Sequence, residues 1–184
     1  MTKIGLFFGT DSGTTRLIGK KIATKLGAEL VDKPLNINRV TVDDLLKYQV
    51  LILGTATYGE GDLPGTENDV KSGSWLDFIP QLEGVDFSGK MIALYGVGNQ
   101  EKYGDRFVNG MGKLFDIFKA KGATIIGSWD TDGYTFTSSD AVVDNKFVGL
   151  ALDNKSQKID TESRLDRWVA MMKPQFEAAL EDIM

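Results

Sequence analysis

The sequence contains no cysteine and no histidine, and only 4 of its 184 residues are proline. The missing cysteines exclude disulfides, thiolate catalysis and iron–sulfur clusters. Together with the missing histidines, they also exclude the usual zinc sites and a Ser-His-Asp triad. We therefore predict no metal site, and much of the side-chain chemistry that enzymes use is removed. If the protein takes part in chemistry, a bound organic cofactor is the expected agent.

Long apolar runs and an excess of basic charge are missing as well. No run approaches the roughly 20 apolar residues that span a bilayer, and the first residues lack the pattern of a signal peptide. The 21 basic residues are outnumbered by 26 acidic ones, whereas nucleic-acid binding normally needs a basic surface. We expect a cytoplasmic monomer with no membrane or nucleic-acid partner, suited to docking on basic patches of other proteins.

Apolar runs alternate with segments of helical period along the chain. Continuous apolar strands are typical of parallel sheets that are buried on both faces, and the alternation implies right-handed crossovers. We predict an α/β fold in one domain, residues 1–184: a doubly wound five-stranded parallel sheet between two helical layers. The predicted strands are residues 4–8, a weaker one at 29–31, 50–53, 91–95 and one beginning at 125, and the helical faces fall within 17–26, 42–46, 75–82, 111–118 and 165–180.

One polar stretch, residues 129–146, interrupts this alternation and is followed by the apolar run 147–152. Long loops inside compact domains are uncommon and often functional. We interpret the stretch as an insertion that splits the last strand, which residues 147–152 then complete.

The first strand leads into a helix through Gly9-Thr10-Asp11-Ser12-Gly13-Thr14-Thr15. Free N–H groups and the positive end of the helix dipole make such a position an anion site, and the four hydroxyls add donors. The lysine of a Walker loop is absent, and the dinucleotide glycine spacing is not met. The loop is therefore a candidate phosphate site with Asp11 turned to solvent, or else a hydroxyl-rich turn that only caps its helix.

Two further loops pair glycines with a tyrosine at the same predicted edge of the sheet. One is Gly54-Thr55-Ala56-Thr57-Tyr58-Gly59, and the other runs from Gly96-Val97-Gly98-Asn99-Gln100 to Tyr103. Two aromatic rings that face each other across a gap can sandwich a flat ligand. Taken alone, each tyrosine is better explained as a half-buried packing residue, as most tyrosines are, so the prediction rests on the three loops together.

These motifs, in this order, resemble those of the long-chain flavodoxins over nearly the whole chain, and residues 128–134 and 146–153 resemble the family's inserted loop and strand end. The resemblance implies strand order 2-1-3-4-5 and FMN at the carboxyl edge of the sheet, where the strand order reverses, a rule of which flavodoxins are themselves an example. It also implies that Tyr103 stacks on the flavin, that no step of enzyme catalysis occurs, and that the semiquinone and hydroquinone states are used at low potential. The predicted cofactor-binding residues are Thr10, Asp11, Ser12, Gly13, Thr14, Thr15, Ala56, Thr57, Tyr58, Gly59, Val97, Gly98, Asn99 and Tyr103.

The subfamily that the sequence resembles is that of nitrogen-fixing bacteria. It implies a reductase as electron donor and nitrogenase or another low-potential protein as acceptor. Tyr58 and Asn99 stand where many long-chain members have Trp and Asp. The Gly59 carbonyl is expected to turn toward flavin N5 on one-electron reduction, since glycine permits such a peptide flip. The alternatives are an FMN-dependent NAD(P)H:quinone reductase on the same fold and, less favoured, a cofactor-free receiver-type signalling module.

Overall fold

The computed structural model describes residues 3–9 and 13–183, and its elements follow the predicted alternation of strands and helices. The strands are β1 (Gly5–Gly9), β2 (Leu35–Asn36), β3 (Val50–Ala56), β4 (Met91–Val97), β5 (Thr124–Ile126), β6 (Trp129–Asp130), β7 (Val142–Val143), β8 (Lys146–Phe147) and β9 (Leu150–Leu152). The helices are α1 (Thr14–Leu26), α2 (Val42–Leu46), α3 (Trp75–Phe78), α4 (Asn109–Ala120) and α5 (Thr161–Glu181). None of the helices within the described ranges is long and apolar enough to cross a membrane.

The main sheet has the order β2-β1-β3-β4-β5, and all of its pairings are parallel. The first half of β4 pairs with β5, and its last residues, 95–97, pair with β9. The predicted strand order and the split last strand are therefore confirmed.

Helices cover both faces of this sheet. On one face α1 and α5 contact each other. On the other, Trp75 of α3 packs edge-on against Phe118 of α4 at 6.3 Å between ring centroids. The central strands are buried on both faces, with Ile52, Leu53 and Leu94 fully covered. Each such side chain contributes about 1.5–3 kcal/mol by its burial, which holds the ends of the strands in fixed positions.

The second strand is not where the sequence pattern predicted it. Residues 29–31 form a turn, because the N–H groups of Leu30 and Val31 both donate to Gly27 O at the end of α1. Val31 makes only an isolated bridge with Ile4, and the paired strand is Leu35–Asn36. The prediction of a strand at 29–31 was wrong, since closing the helix uses the amides that a strand would need.

The polar stretch forms its own small antiparallel sheet of β6, β8 and β7. Phe147 belongs to β8 in this sheet, so its assignment to the completed last strand was wrong. The parallel pairing with β4 begins only at Leu150, after Gly149. A Cβ at Gly149 would lie 2.2 Å from the Leu94 carbonyl oxygen, so the chain re-enters the main sheet through the one residue type that fits there.

The helix predicted over residues 75–82 changes type halfway. The α-helix ends at Phe78, and residues 79–82 form a 3-10 helix that contains Pro80. Proline has no N–H for the α-helical bond, which accounts for the change.

Candidate functional site

Two adjacent cavities open at the carboxyl edge of the sheet, with volumes of about 360 and 350 Å³. Both lie within the range of about 300–1,000 Å³ that is usual for small-molecule sites. The residues common to both cavities are Thr57, Tyr58, Gly98, Asn99 and Tyr103. The cavities therefore form one continuous slot, bounded by the loop after β3 and the loop after β4.

The loop after β3 makes a tight turn at residues 58–62. The Tyr58 carbonyl accepts hydrogen bonds from the N–H groups of Gly61 and Asp62 at 3.2 and 2.8 Å. Gly59 has φ +56°, in the region that favours glycine. A Cβ at Gly59 would lie 2.9 Å from the Asn68 side-chain oxygen. The turn thus places the Gly59 peptide at the slot and needs glycine there.

The start of α4 fixes the end of β3. Thr57 Oγ1 accepts a hydrogen bond from the Gly110 N–H at 2.9 Å, and a Cβ at Gly110 would lie 2.4 Å from the Ala56 carbonyl oxygen. A side chain at position 110 would therefore force the helix away from the strand. This close approach orients Thr57 at the base of the slot.

The loop after β4 presents Asn99 and Tyr103 from a compact backbone. The Asn99 carbonyl accepts from the Tyr103 N–H at 2.9 Å, and Asn99 Oδ1 accepts from the Lys102 N–H at 3.1 Å. The Tyr103 side chain is 39% exposed. It therefore offers one of the few large, partly exposed rings in the described ranges, and it stands at the mouth of the slot.

The inserted segment supports this second loop. The Gly104 carbonyl accepts from the N–H groups of Thr137 and Ser138 at 2.7 and 2.8 Å. Gln100 Oε1 accepts from the Thr135 N–H at 2.5 Å. Phe107, which lines one cavity, packs 5.8 Å from Phe147 of β8, measured between ring centroids. The inserted sheet thus fixes the backbone behind the slot.

Asp153, after β9, is a buried anion that joins two loops. Its carboxylate accepts from the Gln100, Lys155 and Ser156 N–H groups and from the Ser156 hydroxyl. Burial alone would raise its pKa, but the hydrogen bonds from Ser156, Gln100 and Lys155 hold the pKa of Asp153 below its usual value. Asp153 therefore stays ionised and keeps Asn154 and Lys155 beside the slot.

One end of the slot lies against the first turn of α1. Thr14 and Thr15 line the cavity, and Gly13 precedes the helix with φ +88°. Thr15 is fully buried, and its Oγ1 hydroxyl has no hydrogen-bond partner among residues 3–9 and 13–183. Because an unpaired buried hydroxyl is costly, this end of the slot suits an anion that can accept from it.

The structure brings most of the predicted site residues to this slot. It places Tyr58 and Tyr103 together on both cavities. Thr10, Asp11 and Ser12 lie outside the described residues, and Gly13 stands beside the cavities without lining them. The predicted residues that line the slot are Thr14, Thr15, Ala56, Thr57, Tyr58, Gly59, Val97, Gly98, Asn99 and Tyr103.

Sequence reasoning missed several lining residues. Arg106, Phe107 and Val108 lie beyond the quoted motif, and Lys102 lies within it. Asn154 and Lys155 follow the completed last strand, so their position after a fifth strand end was the signal that could have found them. In the described part of the chain, no group of three acidic side chains is placed to hold a metal ion.

An open parallel sheet with this slot defines an α/β protein that can hold a phosphorylated, flat ligand at its carboxyl edge. The flavodoxin family model matches residues 6–168. The chain is 50% identical to a flavodoxin of Klebsiella pneumoniae (94% of this chain, 98% of that protein) and 42% identical to Flavodoxin 1 of Azotobacter vinelandii (96% and 98%). The chain belongs to the flavodoxin family, whose members are electron-transfer proteins rather than enzymes.

A solved structure agrees with this assignment. The crystal structure of Fusobacterium nucleatum flavodoxin bound to flavin mononucleotide superposes with a TM-score of 0.84 at 33% identity, covering 96% of this chain and 99% of that one. At this identity the likeness extends beyond the general fold to the family.

Proposed function

We propose that the chain binds one FMN in the slot and, as a cytoplasmic monomer of one domain, carries single electrons at low potential. The donor is a reductase, and the acceptor is nitrogenase or another low-potential protein. The observation that carries this proposal is the slot itself. It is bounded by two tyrosines at one end and, at the other, by a buried threonine hydroxyl that has no hydrogen-bond partner within the described residues.

The residues around the slot fit the parts of FMN. Thr15 Oγ1 and the first N–H groups of α1 suit the phosphate, because they are donors at the positive end of a helix. Tyr58 and Tyr103 suit the two faces of the ring system. The backbone of Gly98 and Asn99 lies beside the same space and suits the polar ring edge.

Bound FMN would supply one-electron chemistry, which the protein tunes through hydrogen bonds and nearby charge. The Gly59 peptide lies in a glycine-dependent turn, so its carbonyl can reorient toward the ring edge at low steric cost. Tyr58 and Tyr103, which line both cavities, would shield the ring faces from water. These residues bind and orient, and none of them is assigned an acid, base or nucleophile role.

Acidic residues that follow β3 favour a low reduction potential of the bound flavin. Glu60, Asp62, Glu67 and Asp69 fall within twelve residues of Tyr58, and all but Asp62 are exposed. Carboxylates near a site disfavour a second negative charge on its ligand. Lys102 and Lys155 oppose this effect from the other side of the slot, so we expect the potential to reflect both sets of charges.

The choice of nitrogenase as acceptor rests on differences among relatives. The chain is 50% identical to one K. pneumoniae flavodoxin but 39% identical to a second flavodoxin of that species. It therefore resembles one of these two flavodoxins more than the other, and both Klebsiella and Azotobacter fix nitrogen. This pattern supports nitrogenase as the acceptor.

Stepwise reduction of the purified protein tests the carrier function. We expect a yellow protein with stoichiometric FMN that passes through a blue one-electron form before bleaching. Fully reduced protein that has been freed of dithionite should then support acetylene reduction by purified nitrogenase in proportion to the amount of protein added. The K. pneumoniae relative with 50% identity is the matched positive control. A colourless protein that takes up no FMN, or steady NAD(P)H–quinone turnover by the protein alone, would contradict the proposal.

A further inference from the structure

Arg106 lies between the two loops that bound the slot and contacts both. Its guanidinium is 3.6 Å from the Glu60 carboxylate of the first loop and 3.3 Å from Asp105. The guanidinium carbon is 5.1 Å from the centroid of the Tyr103 ring in the second loop, within the range of a cation–π contact. Its side chain is only 24% exposed, so this charged group is mostly covered.

The backbone directs Arg106 toward these partners. The Arg106 N–H donates to the Tyr103 carbonyl at 3.1 Å, which closes a turn and brings the side chain back over the ring. A Cβ at Gly61 would lie 3.4 Å from the Arg106 Cβ. The stem of Arg106 therefore lies against the loop after β3, and its guanidinium contacts both Glu60 of that loop and the Tyr103 ring.

We propose that Arg106 is a positioning residue that ties the turn at residues 58–62 to Tyr103 and so keeps the slot formed before the ligand enters. This inference rests on the proposed function, because it takes a flat phosphorylated ligand as the occupant. Glu60 and Asp105 also offset the guanidinium charge, so the tie places no uncompensated cation at the slot.

The strength of the tie comes from the combination of contacts. Glu60 is almost fully exposed, and such an ion pair alone changes an equilibrium by about two- to five-fold at most. The stacked guanidinium and the packed stem add to it. Lys102 shows the contrast: its Nζ is 5.4 Å from the same ring, yet within the described ranges it makes no ion pair with the first loop.

A double-mutant cycle on FMN binding measures this tie. We expect Arg106→Gln to weaken FMN binding about ten-fold and Glu60→Gln about three-fold. The double variant should bind like Arg106→Gln alone, because the pair is already broken. Lys102→Gln is the matched control: it removes the same charge beside the same ring, and its effect should multiply with that of Glu60→Gln.

Hydrogen exchange in the apoprotein gives a readout that needs no flavin. The Gly61 and Asp62 amides, which donate to the Tyr58 carbonyl, should exchange several-fold faster in Arg106→Gln and at the parent rate in Lys102→Gln. Independent effects of Glu60→Gln and Arg106→Gln, unchanged exchange, or tighter FMN binding by Arg106→Gln would each overturn the tie. If the parent binds no FMN, the proposed function fails, while the exchange result still decides whether Arg106 orders the turn.

Discussion

The Asp153 carboxylate accepts two hydrogen bonds from Gln100, one from its backbone N–H at 2.9 Å and one from its side-chain amide at 3.0 Å. Asp153 follows β9, and Gln100 belongs to the loop after β4. The side-chain oxygen of Gln100, Oε1, accepts from the Thr135 N–H of the inserted segment. The Asp153 carboxylate and the Gln100 side-chain amide thus connect β9, the loop after β4 and the inserted segment.

Replacing Asp153 with Asn should destabilise the protein by about 2 kcal/mol at pH 7, since buried donors would lose a charged acceptor. The pKa of Asp153 is lowered on folding, so its contribution is fully present above the unfolded pKa of about 3.9. That contribution is lost as the pH falls through the folded value. Urea unfolding followed by tryptophan fluorescence should show the parent–variant difference shrinking below about pH 4.

The exposed Asp182 provides the control, because Asp182→Asn changes the same group at the far end of α5. The stability of Asp182→Asn at pH 7 should match that of the parent within experimental error. A constant difference between Asp153→Asn and the parent from pH 7 to pH 3 would show that the charge of Asp153 is not what holds the loops.

The sequence predicts the central sheet because its strands are continuous apolar runs, and such runs are typical of parallel strands buried on both faces. The prediction of a strand at residues 29–31 was wrong because the amides of Leu30 and Val31 bond to the Gly27 carbonyl at the end of α1 and not to a neighbouring strand. The small sheet of the insertion leaves little apolar signal: β6, β7 and β8 have two residues each. Such short pairings depend on tertiary contacts that local periodicity does not contain.

The site could be predicted as far as it follows strand ends. Thr57, Tyr58 and Asn99 come directly after apolar runs, so topology alone brings them together. Arg106 reaches the slot through a turn whose geometry depends on Glu60, a partner distant in sequence. Lys155 is held by the neighbouring Asp153, but the Asp153 carboxylate is itself fixed by Gln100, which is 53 residues away. No local pattern encodes such partners.

Tyr134 anchors the insertion to β9, and its replacement by Phe should destabilise the protein by about 1–2 kcal/mol at pH 7. Its hydroxyl donates to the Ala151 carbonyl and accepts from Trp129 Nε1 at 2.9 Å. Burial raises the pKa of Tyr134 to about 12, above the unfolded value of about 10. Its stabilisation is therefore present below pH 10 and is lost as the pH rises from about 10 to 12.

Urea unfolding at pH 7, 9 and 10.5 checks this prediction, because the difference between Tyr134→Phe and the parent should narrow at the highest pH. Tyr48→Phe is the matched variant: burial, with a hydrogen bond to Asp32, also raises the pKa of Tyr48 to about 12, but Tyr48 lies far from the insertion. Only Tyr134→Phe should weaken FMN binding as well. Equal FMN affinity in the two variants would argue against a supporting role for the insertion.

Gly59→Ala should lower the yield of the one-electron-reduced flavin and destabilise the fold by about 1 kcal/mol. Alanine at position 59 would have to keep a backbone φ of +56°. Its Cβ would also displace the Asn68 side chain. Asn68 would then lose the hydrogen bond that it donates to the Leu63 carbonyl. A redox titration followed by absorption measures the yield, and thermal unfolding measures the stability.

Gly84→Ala separates strain from function in that experiment. Gly84 has φ +74°, and a Cβ there would meet no atom within 4 Å. It should therefore destabilise the fold by a similar amount and leave the redox titration unchanged. If the redox titration of Gly59→Ala matched that of the parent, the proposed contact of the Gly59 carbonyl with the edge of the flavin ring would be wrong.

Thr15→Val should move apoprotein stability and ligand affinity in opposite directions. The substitution keeps the shape of a fully buried side chain and removes a hydroxyl that has no partner in the described residues. The apoprotein should gain about 1 kcal/mol because an unsatisfied buried group disappears. FMN binding should weaken by on the order of ten- to hundred-fold, since a hydrogen bond to a charged phosphate is lost.

Fluorescence titration with FMN and with riboflavin shows where the hydroxyl acts. If Thr15 serves the phosphate, Thr15→Val weakens FMN binding and leaves riboflavin binding unchanged, because riboflavin lacks the phosphate. Thr24→Val, on the exposed side of the same helix, controls for the altered helix propensity and should change neither affinity. Equal losses for the two ligands would instead place the hydroxyl beside the ring or its side chain, and the phosphate would have to be held elsewhere.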